Sequence, residues 1–255
     1  MDRRQIPFEI QAQPDETTCG PTCLHAIYNF YDDPVSLSAL VGEVPSVTGG
    51  GTYAVHLATH ALKRGYPVRL YTYNLQVFDP TWFQGTVRLE SRLALRAGFV
   101  SSPDLKHACA AYLEFLSLGG VIRWRDLTPA LIRKYISRSV PVLTGLSATY
   151  LYQSAREFGV GQEYDDVRGE PAGHFVVLTG YDSDTRNVYI ADPFKSNPVS
   201  EEQQYAVNID RVLCSILLGV LTYDANLVII GSRGSHRNEF SGVKPRPDGC
   251  APERR

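Results

Sequence analysis

Gly173-His174-Phe175-Val176-Val177-Leu178-Thr179-Gly180-Tyr181, followed after a polar turn by Val188-Tyr189-Ile190-Ala191-Asp192-Pro193, is the stretch whose reading decides the fold of this 255-residue chain. Each run is short, β-branched and bounded by turn formers, the pattern of a strand. Asp182-Ser183-Asp184-Thr185-Arg186-Asn187 between them reads as a hairpin turn, so the two strands are antiparallel neighbours. Residues 140–146 and 227–230 give further short strands, and residues 208–218 a helix that packs on the sheet.

Upstream, the periodicity changes. Cys23, Leu24, Ile27 and Tyr31 recur at helical spacing, with Thr17 or Thr18 as the cap and Pro21 in the first turn, where no backbone donor is lost. Residues 36–41, 52–64, 86–97, 103–118 and 128–137 also read as helices, and residues 68–73 as a strand. Helices come first and antiparallel strands later. The expected class is therefore α+β, a helical N-terminal half packed on an antiparallel β-sheet C-terminal half. One domain is expected over residues 1–231 and a flexible polar tail over residues 232–255, where Gly, Pro and Arg accumulate.

Composition excludes more than it identifies. The formal charge of −2 supplies no basic field for nucleic acid or anionic lipid, so neither is expected as a partner. Residues 1–10 lack the apolar core of a secretion signal, and the most apolar run, residues 212–221, is about half the length of a membrane span. A cytoplasmic protein without a membrane span is expected. Cys19, Cys23, Cys109, Cys214 and Cys250 form an odd set without framework spacing, which points to free thiols.

The chemistry lies in two places that the topology brings together. A hairpin sets the start of one strand beside the end of the next, so His174 and Asp192 share a sheet edge. An imidazole oriented by a carboxylate is the base half of a nucleophilic triad. In Gln13-Pro14-Asp15-Glu16-Thr17-Thr18-Cys19-Gly20-Pro21-Thr22-Cys23-Leu24, Cys19 sits where a loop turns into a helix, and a helix N-terminus favours a thiolate.

The segments Gln13, Thr18 to Leu24, Gly173 to Leu178 and Ile190 to Pro193 resemble the bacteriocin-processing peptidases, papain-like cysteine proteases that cut after a double-glycine leader. The likeness covers about residues 10–70 and 138–200. It implies a papain-like fold with Cys19 as nucleophile, His174 as base, Asp192 as orienting carboxylate and Gln13 as oxyanion donor. It also implies a peptide or protein substrate, Gly-rich if the cleft is narrow, and neither metal nor cofactor. Members of that family front membrane-bound exporters; Gly49-Gly50-Gly51 is no Walker site and no span is read here, so a stand-alone relative is expected. The expected reaction is hydrolysis of a peptide or amide bond through a Cys19 thioester. Transfer of the acyl group to an amine, and a catalytically silent peptide binder, are the alternatives. Oligomeric state is not readable.

Neighbouring residues have plainer readings. Cys23 is expected to pack, because buried structural thiols are inert. His25, His56 and His60 read as surface histidines, the last two at a metal-like spacing without a third ligand. Asp182 and Asp184 belong to a turn. Tyr150, Tyr152 and Tyr164 either line a cleft or pack a loop, and Arg246, Arg254 and Arg255 are too sparse to name a partner.

Overall fold

In the computed structural model, residues 3–47, 50–85, 87–159, 161–222 and 225–234 are described. Residues 48 and 49 of the glycine-rich loop, and residues 235–255 of the expected tail with Cys250, Arg246, Arg254 and Arg255, lie outside them. Strand β1 (Arg3–Gln5) precedes helices α1 (Cys19–Phe30), α2 (Leu37–Glu43) and α3 (Ala54–Lys63). Strand β2 (Val68–Thr72) leads to α4 (Leu89–Phe99), α5 (Pro103–Ser117), β3 (Val121–Arg123) and α6 (Pro129–Ile136). Then come β4 (Val142–Ser147), α7 (Ala148–Tyr152) and a small hairpin, β5 (Glu157–Phe158) and β6 (Glu163–Tyr164). Strands β7 (Gly173–Asp182), β8 (Asn187–Ala191) and β9 (Gln204–Asn208), helix α8 (Ile209–Leu218) and β10 (Asn226–Ile230) complete the order.

The main sheet has eight strands in the order β3-β2-β10-β4-β7-β8-β9, with β1 also on β7. All pairs are antiparallel except β2 with β3. The deciding hairpin forms as read: Val177 pairs with Ala191 and Leu178 with Ile190, and Asp182 Oδ1 accepts from the Asp184 and Thr185 amides to close the turn. Strand β4 covers β7 from Gly173 to Leu178, and β1 takes over at Gly180.

The sheet carries a core on each face. Phe175, Val177 and Ala191 pack with α1, α3 and α5 on one side. Val176, Leu178 and Ile190 pack with α6, α7 and α8 on the other. The alternation of β7 between two apolar sets explains its nearly continuous burial. Helices thus cover both faces, and β2 and β3 from the helical first half join the sheet, so the α+β class holds with more interleaving than the order of elements implies.

His25 and His56 correct the surface reading. They are 9% and 6% exposed. Helix α1 lies against β7, α2 and α3, and α3 against β2 and α5, so neither helix keeps a full solvent face. His56 Nε2 meets His107 Nε2 at 3.2 Å, and burial followed by His107 lowers the His56 pKa to about 4. His60 bonds Tyr28 and Glu43. Among the described residues no cluster of three or more His, Cys, Asp or Glu could hold a metal, and no helix is long and apolar enough to cross a membrane.

Gly20, second residue of α1, lets the helix start lie against its neighbours: a Cβ there would stand 2.8 Å from a Thr52 methyl and 3.2 Å from the Phe175 ring. Gly20→Val is expected to cost about 1–3 kcal/mol through overpacking. Urea denaturation measures it, and a Gly20→Ala variant should recover part of its loss when combined with Thr52→Ser.

Candidate active site

Cys19 is the first residue of α1 and 7% exposed. The cap differs from the expected one. Thr18 occupies the N-cap position without a side-chain cap; its hydroxyl donates to the Asp15 carbonyl at 3.1 Å. Asp15 in turn fixes the loop, its Oδ1 accepting from the Thr17 amide and hydroxyl at 2.8 Å each. The first-turn amides of α1 therefore have no side-chain acceptor, leaving a helix N-terminus that suits an anion at the sulfur.

The hairpin delivers His174. His174 Nε2–H donates to Asp192 Oδ1 at 2.8 Å, which leaves Nδ1 as the nitrogen for Cys19. Burial would lower the His174 pKa, but the Asp192 charge, then the Cys19 charge, and hydrogen bonds to both push it up to about 10. The structure thus brings Cys19, His174 and Asp192 together. His174 belongs to the sheet. Cys19 comes from the helices on one face, and Tyr152 and Tyr205, which bond Asp192, come from the other.

Asp192 has no exposed surface, yet it is fully bonded. Its Oδ1 also accepts from the Phe194 amide at 2.8 Å. Its Oδ2 accepts from the Tyr152 hydroxyl at 2.8 Å and the Tyr205 hydroxyl at 2.5 Å. Its backbone is pinned to Gln203 by Asp192 N–H to the Gln203 carbonyl at 2.8 Å and Gln203 Nε2 to the Asp192 carbonyl at 3.0 Å. Burial raises the proton affinity of this carboxyl. His174, by charge and by hydrogen bond, then Tyr205 and the Phe194 amide, outweigh burial and hold the pKa below the usual carboxylate value. Tyr205 was not singled out in the sequence. Tyr152 was read only as a cleft or packing aromatic. The alternation of Tyr205 and Val207 with Gln204, Ala206 and Asn208 is the signal that the sequence holds for β9.

Gln13 also reaches this end of the molecule. Its backbone amide donates to the Pro193 carbonyl at 2.9 Å, directly after Asp192. Its side-chain Nε2 donates to the Asp15 carbonyl at 2.9 Å, and Oε1 is buried without a hydrogen-bond partner among the described residues. One Nε2–H is thus committed to the loop. Cys23 behaves as the packing thiol expected: its Sγ–H donates to the Phe175 carbonyl at 3.3 Å, and burial, then Cys19 and Asp192, push its pKa well up.

Cys19 opens on a cleft of about 250 Å³. Gly50, Gly51, Ala172 and Gly173 make much of its wall small, and Glu16 and Glu157 add carboxylates. Gly50 has φ +93° and a Cβ there would stand 2.6 Å from a Thr17 methyl, so the glycine loop can close on the loop before Cys19 only without a side chain. Tyr150 and Tyr164 are exposed at 39% and 57% and do not line this cleft.

Because the folded pKa of His174 lies above its unfolded value, the pair stabilises the fold most below about pH 6.5 and loses that contribution as pH rises toward about 10. Unfolding free energies from urea denaturation between pH 6.5 and 9 should fall by at most about 1.4 kcal/mol per pH unit from this one group, and His174→Gln should flatten the slope. Cys23→Ala should cost about 1 kcal/mol or more and leave thiol labelling at Cys19 unchanged.

The Peptidase_C39 like family matches residues 98–212. No curated protein matches. Among solved structures, the peptidase domain of Streptococcus ComA, a bi-functional ABC transporter involved in a quorum sensing pathway, is 14% identical, with 88% of this chain and 98% of that one covered and a TM-score of 0.41. A double glycine motif protease from an AMS/PCAT transporter, in complex with its leader peptide, is 12% identical, covering 90% and 98%, with a TM-score of 0.42. Xylellain, a cysteine protease from Xylella fastidiosa, is 15% identical, covering 90% and 85%, with a TM-score of 0.41. Over residues 98–212 the chain is therefore similar to the Peptidase_C39 like family, a match that takes in His174 and Asp192 and ends before reaching back to Cys19 and Gln13.

Proposed function

We propose that this chain is a cysteine peptidase or amidase acting through Cys19. The observation that carries the reading is the buried His174–Asp192 pair, whose free imidazole nitrogen serves a cysteine at an uncapped helix start in a cleft. The Cys19 thiolate attacks a peptide carbonyl carbon, and the carbonyl electron pair moves to oxygen. The Cys19 amide and the uncommitted Nε2–H of Gln13 receive the oxyanion; loss of one such donor costs about 100- to 1,000-fold in turnover. His174 gives its proton to the leaving nitrogen as the C–N bond breaks, leaving a thioester. Water, deprotonated by His174, then releases the acid and restores the thiolate–imidazolium pair.

The small walls of the cleft favour a Gly-rich segment at the scissile bond, in keeping with the double-glycine substrates of the family that the motifs resemble. Peptides carrying Gly-Gly before the cleaved bond are the first substrates to try. Cys19→Ala and His174→Ala should each abolish turnover, and Gln13→Ala should lower it about 100-fold or more without changing the fold. Full activity in both of the first two variants would reject the assignment. Product masses in the presence of an added amine separate hydrolysis, expected here, from transfer.

A further inference from the structure

The surroundings of Asp192 raise a question that the triad alone does not answer. A buried carboxylate bonded only to an imidazolium makes that imidazolium very reluctant to release its proton. Yet the proposed reaction needs His174 to give the proton away in each turnover. Four donors converge on Asp192, and two of them are phenols from separate elements: Tyr152 at the end of α7 and Tyr205 in β9. Both hydroxyls go to Oδ2, while His174 and the Phe194 amide share Oδ1.

We propose that Tyr152 and Tyr205 are positioning residues that clamp the Asp192 carboxylate and share its negative charge, so that His174 remains a usable acid as well as a base. The inference rests on the cysteine peptidase reading for its role in turnover, but the clamp itself is a matter of the His174–Asp192 pair. Each phenolic dipole points its positive end at the carboxylate and so competes with the imidazolium for the same charge. Without the phenols, loss of the Nδ1 proton would leave a buried anion beside a neutral ring, with only the His174 Nε2–H and the Phe194 amide as donors. That state would be less favourable, and the proton would be held more tightly.

Tyr152 has a second hold on the base. Its ring lies 6.0 Å from the His174 ring, and the Phe194 ring stands 6.3 Å from His174, edge-on, and 6.4 Å from Tyr152. The two rings pack together beside the imidazole. The other titratable groups acting at this pair are Cys19 and Cys23 from α1 and Glu157 from β5, whose own pKa is raised by burial and Glu16 and lowered by His174. Cys23 and both phenols stay protonated because burial pushes their pKa values up, so the phenols act as permanent donors.

Tyr205→Phe and Tyr152→Phe remove one hydroxyl each and keep the ring. Titration of the His174 ring by NMR in the full chain, with Cys19 and in the Cys19→Ala background, reads the proton affinity directly. Each variant should move the His174 transition to higher pH by about half a unit to one unit, the double variant further. Turnover of a Gly-Gly peptide near pH 7 should fall about 3- to 10-fold, with kcat affected more than KM and the basic limb moved upward. A His174 transition at the wild-type pH in both single variants overturns the clamp, as does a loss of rate with no movement of the limb, which would mark the phenols as packing alone. Turnover retained in Cys19→Ala would overturn the peptidase reading instead, and the His174 titration would still decide the clamp.

Discussion

The Asp192 carboxylate is the constraint on which the rest depends. It is a charge without solvent contact, and an isolated ion there would cost far more than the fold could sustain. It survives because a histidine, a backbone amide and two tyrosines are brought to it by β7, α7, β9 and its own loop. Each of those elements has to be in register for the charge to be met. The site and the sheet are therefore specified together: a slip of β9 by one residue would turn Tyr205 to the other face and leave Oδ2 short of a donor.

Around that carboxylate the chemistry runs across the end of the sheet. Cys19 enters with the helices on one face, and the phenolic support enters from the other face, with His174 between them. This explains why the two cysteines of α1 differ so sharply. Cys19 stands at the helix start on the cleft, whereas Cys23, one turn deeper, spends its proton on a strand carbonyl. The same chemical group faces a cleft or fastens a strand according to its position on one helix.

Much of this was legible in the sequence because it is local. The β7–β8 hairpin carries its own turn chemistry, and together with a one-residue register shift between Leu178 and Gly180 it places His174 beside Asp192. The helices were readable from period and punctuation, as at Gly65 with φ +89° after α3. What escaped was tertiary. The hydroxyl directions of Tyr152 and Tyr205 depend on which strands neighbour β8, and β9 is a five-residue alternation easily absorbed into the start of α8. His25 and His56 were misplaced for a related reason: an amphipathic reading assumes one covered face, and α1 and α3 are covered on several. The Thr18 cap failed because Asp15 offered its hydroxyl a nearer partner.

Thiol reactivity in this chain should run against exposure. Among the described cysteines Cys19 is buried and Cys214 is exposed, so solvent access alone would have Cys214 react before Cys19. The intact chain, treated with a substoichiometric small alkylating reagent near pH 6 and mapped by peptide mass spectrometry, should carry the adduct on Cys19, and His174→Ala should abolish that preference. Labelling that falls first on Cys214, or a Cys19 preference unchanged by His174→Ala, would contradict the claim that His174 and Asp192 activate this thiol.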